Sequence, residues 1–251
     1  MSSLSTFAWT VLPYVAIAVF AVGMFWRYRY DKFGWTTRSS QMYESRLLRL
    51  GSPLFHIGIL LALLGHVVGL LVPEEWTSAA GMSETTYHVA AVAMGTVSGV
   101  MVVVGLAILI YRRRTVGRVF QVTTRMDKLM YAVLGVVVVL GVYNTIGINL
   151  LDLPGKYPDG FNYRDTISVW FRSIFVLDPQ SQLMADAPAS FQLHVFTAML
   201  LFILWPFTRL VHVFSAPVGY LTRPYVVYRS RSDQQSGSRS PLRGWEPTTR
   251  R

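Results

Sequence analysis

Residues 51–70 read GSPLFHIGILLALLGHVVGL. Apart from Ser52, the polar side chains in this stretch are two histidines, His56 and His66. An uncharged apolar run of this length crosses the hydrocarbon core of a bilayer as one helix. An imidazole at that depth is costly, and is by default the mark of a function. Four more apolar runs surround this one, giving five in all at roughly 8–26, 53–72, 87–111, 129–150 and 190–213. With 52% hydrophobic and 14% charged residues, the composition lies far from that of a soluble domain. The expected fold is all-α, a polytopic bundle of five transmembrane helices. The leader MSSLSTFAWT has no Lys or Arg and no small-x-small cleavage site, so the first run is expected to remain as a helix.

Charge sets the expected orientation. Of 23 Lys and Arg residues, 20 fall in segments 27–50, 112–128 and 209–251; the connections 73–86 and 151–189 hold none and three. Under the positive-inside rule the basic side is cytoplasmic, with the amino terminus outside and the carboxyl terminus inside. The basic patches read as topogenic charge and lipid contact; no soluble module offers a nucleic-acid interface. Residues 1–229 are expected to form the transmembrane domain, and 230–251 a disordered basic cytoplasmic tail.

The chain contains no cysteine, which excludes disulfides, iron–sulfur ligation within the chain and thioether-linked haem. Its five histidines are His56, His66, His88, His194 and His212. The second and fifth runs are antiparallel, so His66 is level with His194 near the outer face, and His56 with His212 near the inner face. Two neutral imidazoles can hold a haem between helices. On ideal helices His194 and His212 are about 27 Å apart, and His56 and His66 about 15 Å. A kink at Pro206 is the natural place to absorb the mismatch. Gly58, Gly65 and Gly69 are expected to leave room beside the second-run histidines. Two b haems are the leading reading. In competition stand a proton-coupled transporter with a histidine relay, and histidines that only join helices. The near absence of carboxylates inside the runs counts against the relay.

The stretches RYRYDKFGW, SSQM, LFHIGIL…GHVVGL, FQLHVF and PFTRLVHVFSAPVGYLTRPY resemble the gamma subunit of membrane-bound respiratory nitrate reductase, a di-haem cytochrome b. The resemblance covers roughly residues 11–229. It implies an electron conduit with no nitrate chemistry of its own, in a multi-pass protein of the bacterial cytoplasmic membrane. By this resemblance quinol (menaquinol or ubiquinol) is expected to be oxidised near an outer haem held by His66 and His194. Electrons pass to an inner haem held by His56 and His212, then to an iron–sulfur beta subunit and a molybdenum alpha subunit that reduces nitrate. Where the family carries a quinol-site Lys, this chain has SETTYHVAAV, without a Lys. His88 and Tyr87 are the nearest candidates for that role. Arg112, Arg113 and Arg209 are candidates to pair with haem propionates. A haem b anchor of another oxidoreductase, such as formate dehydrogenase or a heterodisulfide-reductase-like complex, is the near alternative.

Overall fold

The computed structural model describes residues 3–31, 33–35 and 39–215. The chain divides into a unit Met1–Ala216 and a second, Pro217–Arg251, which falls outside the described residues together with the expected tail 230–251. Among the described residues the secondary structure is helical throughout, with no strand. Five helices among the described residues are long and apolar enough to span a membrane: Ser3–Tyr30 (α1), Arg46–Leu71 (α2), Glu84–Thr115 (α4), Arg125–Ile148 (α6) and the span Ala189–Phe207, whose α-helical part is Ala189–Leu204 (α9). The chain is thus a multi-pass membrane protein. Short helices punctuate the connections: Glu74–Ala79 (α3), Gly117–Gln121 (α5), Ile167–Phe175 (α7) and Ser181–Ala185 (α8).

Local chemistry sets the helix ends. Ser83 caps α4 by accepting from the Thr86 N–H at 3.2 Å. Thr124 and Asp127 close a capping box on α6, each side chain accepting a backbone N–H at 3.0 Å. Arg112, Arg113 and Arg114 occupy the last turn of α4, where cations complement the helix dipole.

Small residues decide how the spans pack. Lipid tails are as apolar as leucine, so helices associate in a membrane through close packing rather than hydrophobic expulsion. α2 and α4 form the most extensive pair. A Cβ on Gly58 would stand 2.9 Å from the Val102 backbone nitrogen, and one on Gly105 would collide with the backbone nitrogen of Phe55. Gly51 faces Ile108 and Leu109 in the same seam. α9 packs instead on α6 and α1. A mid-span cluster of Leu106, Met130, Leu134 and Leu201 ties α4, α6 and α9 together.

The fifth span breaks where the sequence placed a kink, and more sharply than a kink requires. α9 stops at Leu204, a 3-10 turn covers Trp205–Phe207, Thr208 is extended, and a second 3-10 turn carries Arg209–Val213. Proline has no N–H for the helix ladder and its ring crowds the preceding turn. Gly23 of α1 receives the proline: a Cβ there would lie 2.7 Å from Pro206 Cβ and Cγ. A continuous helix over 190–213 is therefore corrected to a helix and two short turns.

The connection 149–188 folds over one end of the bundle. α7 buries Ile167, Trp170 and Ile174 against Trp9, Leu12 and Ala16 of α1 and Phe191 of α9. The Trp170 indole donates to the Trp9 carbonyl at 2.9 Å, and the Tyr14 hydroxyl to the Ile174 carbonyl at 3.0 Å. Trp9 lies in a π-helical turn, Phe7–Val11, of the kind that often sits beside functional regions.

Candidate functional site: two imidazole pairs

The broken fifth span brings the four intramembrane histidines together in two pairs. The rings of His66 on α2 and His194 on α9 are 6.1 Å apart between centroids, with planes 25° apart. Those of His56 on α2 and His212 in the second 3-10 turn are 6.0 Å apart, with planes at 78°. Both pairings are those given by the antiparallel order of the spans. The change of direction at Trp205–Thr208 returns His212 to the level of His56.

Each imidazole is held by the same kind of bond. The Nδ1 atoms of His56 and His66 reach back one turn to the carbonyls of Ser52 and Ala62, each at 2.7 Å. His56 Nδ1 is also 3.2 Å from Ser52 Oγ. His194 Nδ1 meets the Val137 carbonyl of α6 at 3.0 Å, and His212 Nδ1 the Arg209 carbonyl at 2.7 Å. A carbonyl oxygen only accepts, so each Nδ1 carries the proton and donates. Each neutral ring then keeps its lone pair on Nε2. This tautomer, fixed by a backbone carbonyl, is the usual state of a metal-bound histidine. The spacing fits as well. Two rings binding one metal from opposite sides have centroids about 6 Å apart, given a metal–nitrogen bond of about 2 Å and a ring radius of about 1.1 Å. The angle between the rings is free in such an arrangement, because each can turn about its metal–nitrogen bond. The four side chains are thus suited to hold two haem irons, one per pair.

Two glycines shape the pockets. Gly141 of α6 faces His194, whose Cε1 would be 3.0 Å from a Cβ there. Gly65 has open space beside His66. The expectation that Gly58 and Gly69 serve the same purpose is corrected. Gly58 is taken up by the α2–α4 seam, and Gly69 faces the hydroxyls of Tyr163 and Tyr87.

At the His56 end the basic connections converge. Arg112, 2% exposed, is clasped by the 40–44 segment. Its Nε donates to Glu44 Oε2 at 2.5 Å, Nη1 to Ser40 Oγ at 2.9 Å, and Nη2 to the carbonyls of Ser40 and Glu44. That guanidinium is fully engaged as a clamp between α4 and the segment before α2, so a propionate would have to displace it. Burial alone would raise the Glu44 carboxyl; the Leu47 N–H and the Arg112 guanidinium outweigh it and hold the group below its ordinary value. Arg113 is also buried; its Nη1 donates to Thr123 Oγ1 at 3.0 Å, its guanidinium lies over the Tyr131 ring, and its Nε has no protein partner. Arg113 and Arg209 line a polar cavity of about 500 Å³ together with Arg27, Ser39, Tyr43 and Asp127. Of the three arginines suggested for propionates, these two face a space in which an anion fits.

At the His66 end the polar groups come from α3, α4 and the 149–188 connection. Tyr87 and Tyr163 are joined hydroxyl to hydroxyl at 3.2 Å, one helical turn from His66 against Gly69. Arg164, 3% exposed, lies over the Tyr87 ring at 3.9 Å. It donates to Glu84 Oε2 at 3.0 Å and Thr77 Oγ1 at 2.9 Å. His88 turns elsewhere: its Nε2 is 3.3 Å from the Asn149 carbonyl, and its ring sits against Gly160. Successive helix residues point about 100° apart, and this separates the two candidates for the missing Lys. Tyr87 faces the top of α2, and His88 braces the connection. Tyr163, Arg164, Glu74 and Glu84 were not singled out from sequence. A tyrosine, an arginine and carboxylates in a polar connection are commonplace, and their partners lie up to 87 residues away.

The model of the nitrate reductase gamma subunit family matches residues 5–231. The chain is 42% identical over 224 residues to the nitrate reductase gamma chain of Bacillus subtilis, covering 97% of that protein. It is 36% identical over 229 residues to the respiratory nitrate reductase 2 gamma chain of Escherichia coli, covering 98% of it. It is also 56% identical over 237 residues to the nitrate reductase-like protein NarX of Mycobacterium tuberculosis; there it spans 94% of its own length and only 35% of the longer protein. With a family match over most of its length and relatives aligned nearly end to end, this chain belongs to the nitrate reductase gamma subunit family.

Proposed function

We propose that the chain is a di-haem cytochrome b that oxidises quinol at the His66 end and passes electrons to soluble nitrate reductase subunits at the His56 end. The observation that carries this reading is the pair of imidazole couples, each with its Nδ1 protons tied to backbone carbonyls and its Nε2 lone pairs left for iron. Haem b, when bound, supplies one-electron transfer at each couple. His66 and His194 hold the first acceptor beside the quinol, and His56 and His212 the second. Tyr87 stands where a quinol oxygen next to His66 can accept or donate a hydrogen bond. Arg113 and Arg209 suit propionates or another anion at the opposite end.

In this reading the transmembrane domain extends over residues 1–229 and the basic tail 230–251 lies in the cytoplasm. The basic end faces inward by the positive-inside rule. Quinol protons leave outside while electrons move inward, so each electron crosses against or with the membrane potential at about 2.3 kcal/mol per 100 mV. The partners are the iron–sulfur beta and molybdenum alpha subunits named by the resemblance, and family membership favours them over the partners of other haem b anchors. The test is to purify the chain with its co-purifying subunits and add quinol, then nitrate. Reduction of the b bands by quinol, followed by their reoxidation by nitrate, is expected. Bands that nitrate cannot reoxidise would contradict the assignment of partner.

A further inference from the structure

Oxidising quinol leaves two protons per molecule to be carried away from the His66 end, and ordered groups stand there whose contacts lead to the surface. Tyr87 is buried, and its hydroxyl is 3.2 Å from that of Tyr163. Both hydroxyls abut Gly69, one turn from His66. Arg164 covers the Tyr87 ring and pairs with Glu84, which is 38% exposed. Its Nε is buried with no protein partner. Glu74, at the start of α3, neighbours Glu84, Asp165 and Arg164. Its carboxyl is raised above the ordinary value, first by burial and then by the Glu84 and Asp165 carboxylates, and its Oε2 is buried with no hydrogen-bond partner. The Tyr163 phenol is also pushed up, chiefly by burial and by its bond to Tyr87, so it stays protonated at any working pH. A neutral phenol both donates and accepts, which is the property a proton relay needs.

We propose that Tyr87 and Tyr163, held by Arg164 against the carboxylates of Glu84, Glu74 and Asp165, form the route by which quinol protons reach the surface. The proposal rests on the quinol-oxidising reading above. Each hop moves one proton: the quinol O–H passes to Tyr87 Oη as the Tyr87 proton passes to Tyr163 Oη. The Tyr163 proton then goes, through water, to the carboxylates. Each phenol ends as it began. After two hops and the loss of two electrons, one at a time, to the haem b that His66 and His194 would hold, quinol has become quinone. Both protons then leave the carboxylates for bulk water. Arg164 is a positioning residue that keeps the phenols and carboxylates in one chain.

The test uses the complete complex with menadiol as the quinol. Tyr163→Phe breaks the relay without removing a ring, and Glu74→Gln removes the carboxyl on the partly exposed α3. Tyr163→Phe is expected to lower kcat by about tenfold, within the range of general acid–base effects. KM for menadiol and both haem bands should stay as in the wild type. Glu74→Gln should flatten the acid limb of the kcat–pH profile. In an infrared pH titration without quinol, it should also remove a carboxyl band that is still protonated above the ordinary carboxylate range. Glu75→Gln, the exposed neighbour, is the control and should change neither. If haem-loaded Tyr163→Phe and Glu74→Gln enzymes keep the wild-type rate and pH profile, the route is overturned while the quinol-oxidising reading stands. An unchanged infrared band in Glu74→Gln would overturn the role of Glu74 without any turnover assay. A wild-type complex that carries haem yet fails to oxidise menadiol would overturn the underlying reading, and the route with it.

Discussion

The two ends of the bundle solve the same problem with different materials. At the His66 end, both histidines sit on regular helices and their rings lie 25° from parallel. A connection folds over that end of the bundle, burying Trp170 against Trp9 and bringing two phenols, one arginine and three carboxylates together. At the His56 end, one histidine rides on a broken helix, the rings are nearly perpendicular, and the surroundings are arginines around an open polar cavity. Their materials suit the two ends to different tasks. The first is rich in groups that carry protons. The second is cationic and open, as fits anionic propionates and a partner's surface. The imidazole geometry is common to both, and in the proposed function the shell around it separates entry from exit.

The largest effects come from removing a ligand. His66→Ala or His194→Ala should abolish quinol oxidation, because the first acceptor and one wall of the quinol site disappear together. His56→Ala or His212→Ala should leave quinol able to reduce the remaining haem, with no onward transfer to nitrate. Quinol-reduced spectra of the four variants check this. The comparison breaks if His56→Ala removes the haem of the His66 pair and spares the other.

Next comes the seam on which both pairs depend. Gly105→Leu drives a side chain into the Phe55 backbone. Overpacking of this kind costs about 1–3 kcal/mol, and because α2 carries a ligand of each pair, both haems should be depleted. Gly135, with nothing within 4 Å, should accept Ala without loss of either haem. Haem content and thermal unfolding of the two variants measure the contrast.

The ends should also answer pH in opposite senses. The folded Glu44 carboxyl is held below its ordinary value, so its stabilisation is present above the ordinary carboxylate range and is lost as pH falls through the lowered value. Glu74 is raised, so its favourable contribution is present in acid and is lost as pH rises through the raised value. Glu44→Gln should therefore lose thermal stability at neutral pH and converge on the wild type in acid. Glu74→Gln should match or exceed the wild type at neutral pH and lose that advantage in acid. Thermal midpoints against pH for both variants decide it, and parallel curves would deny the contrast between the ends.

The smallest effect belongs to His88. Held at the Asn149 carbonyl, it braces the connection. His88→Ala should raise KM for quinol only a few-fold, within about 1 kcal/mol, and less than Tyr87→Phe changes kcat/KM. Steady-state kinetics of the two variants rank them, and a larger loss at His88 would restore it as the substitute for the family's Lys.

Much of this was legible in the sequence, for identifiable reasons. A membrane span is a one-dimensional pattern, so runs of apolar residues located all five helices; most starts fell short of the helix ends, while the second, fourth and fifth runs continued past theirs. The level pairs followed from antiparallel order alone. The break after Leu204 was legible as Pro206, but its form was not, because it depends on Gly23 of another helix receiving the proline ring. Gly58 and Gly65 look alike in sequence; one packs a helix and the other leaves space, and only the neighbouring span tells them apart. Arg112 read as one of a basic cluster because its partners, Ser40 and Glu44, lie 68 to 72 residues away in an irregular segment. The Arg164 network was hidden for the same reason, since long-range polar contacts leave no periodicity.

Each imidazole pair is proposed to hold one haem b. A pyridine haemochrome assay on the fully loaded wild-type chain, set beside His66→Ala and His56→Ala, tests it most directly. Two haems b per chain are expected in the wild type and one in each variant, with different reduced bands remaining in the two. One haem or fewer in the wild type, or the same band surviving in both variants, would contradict it.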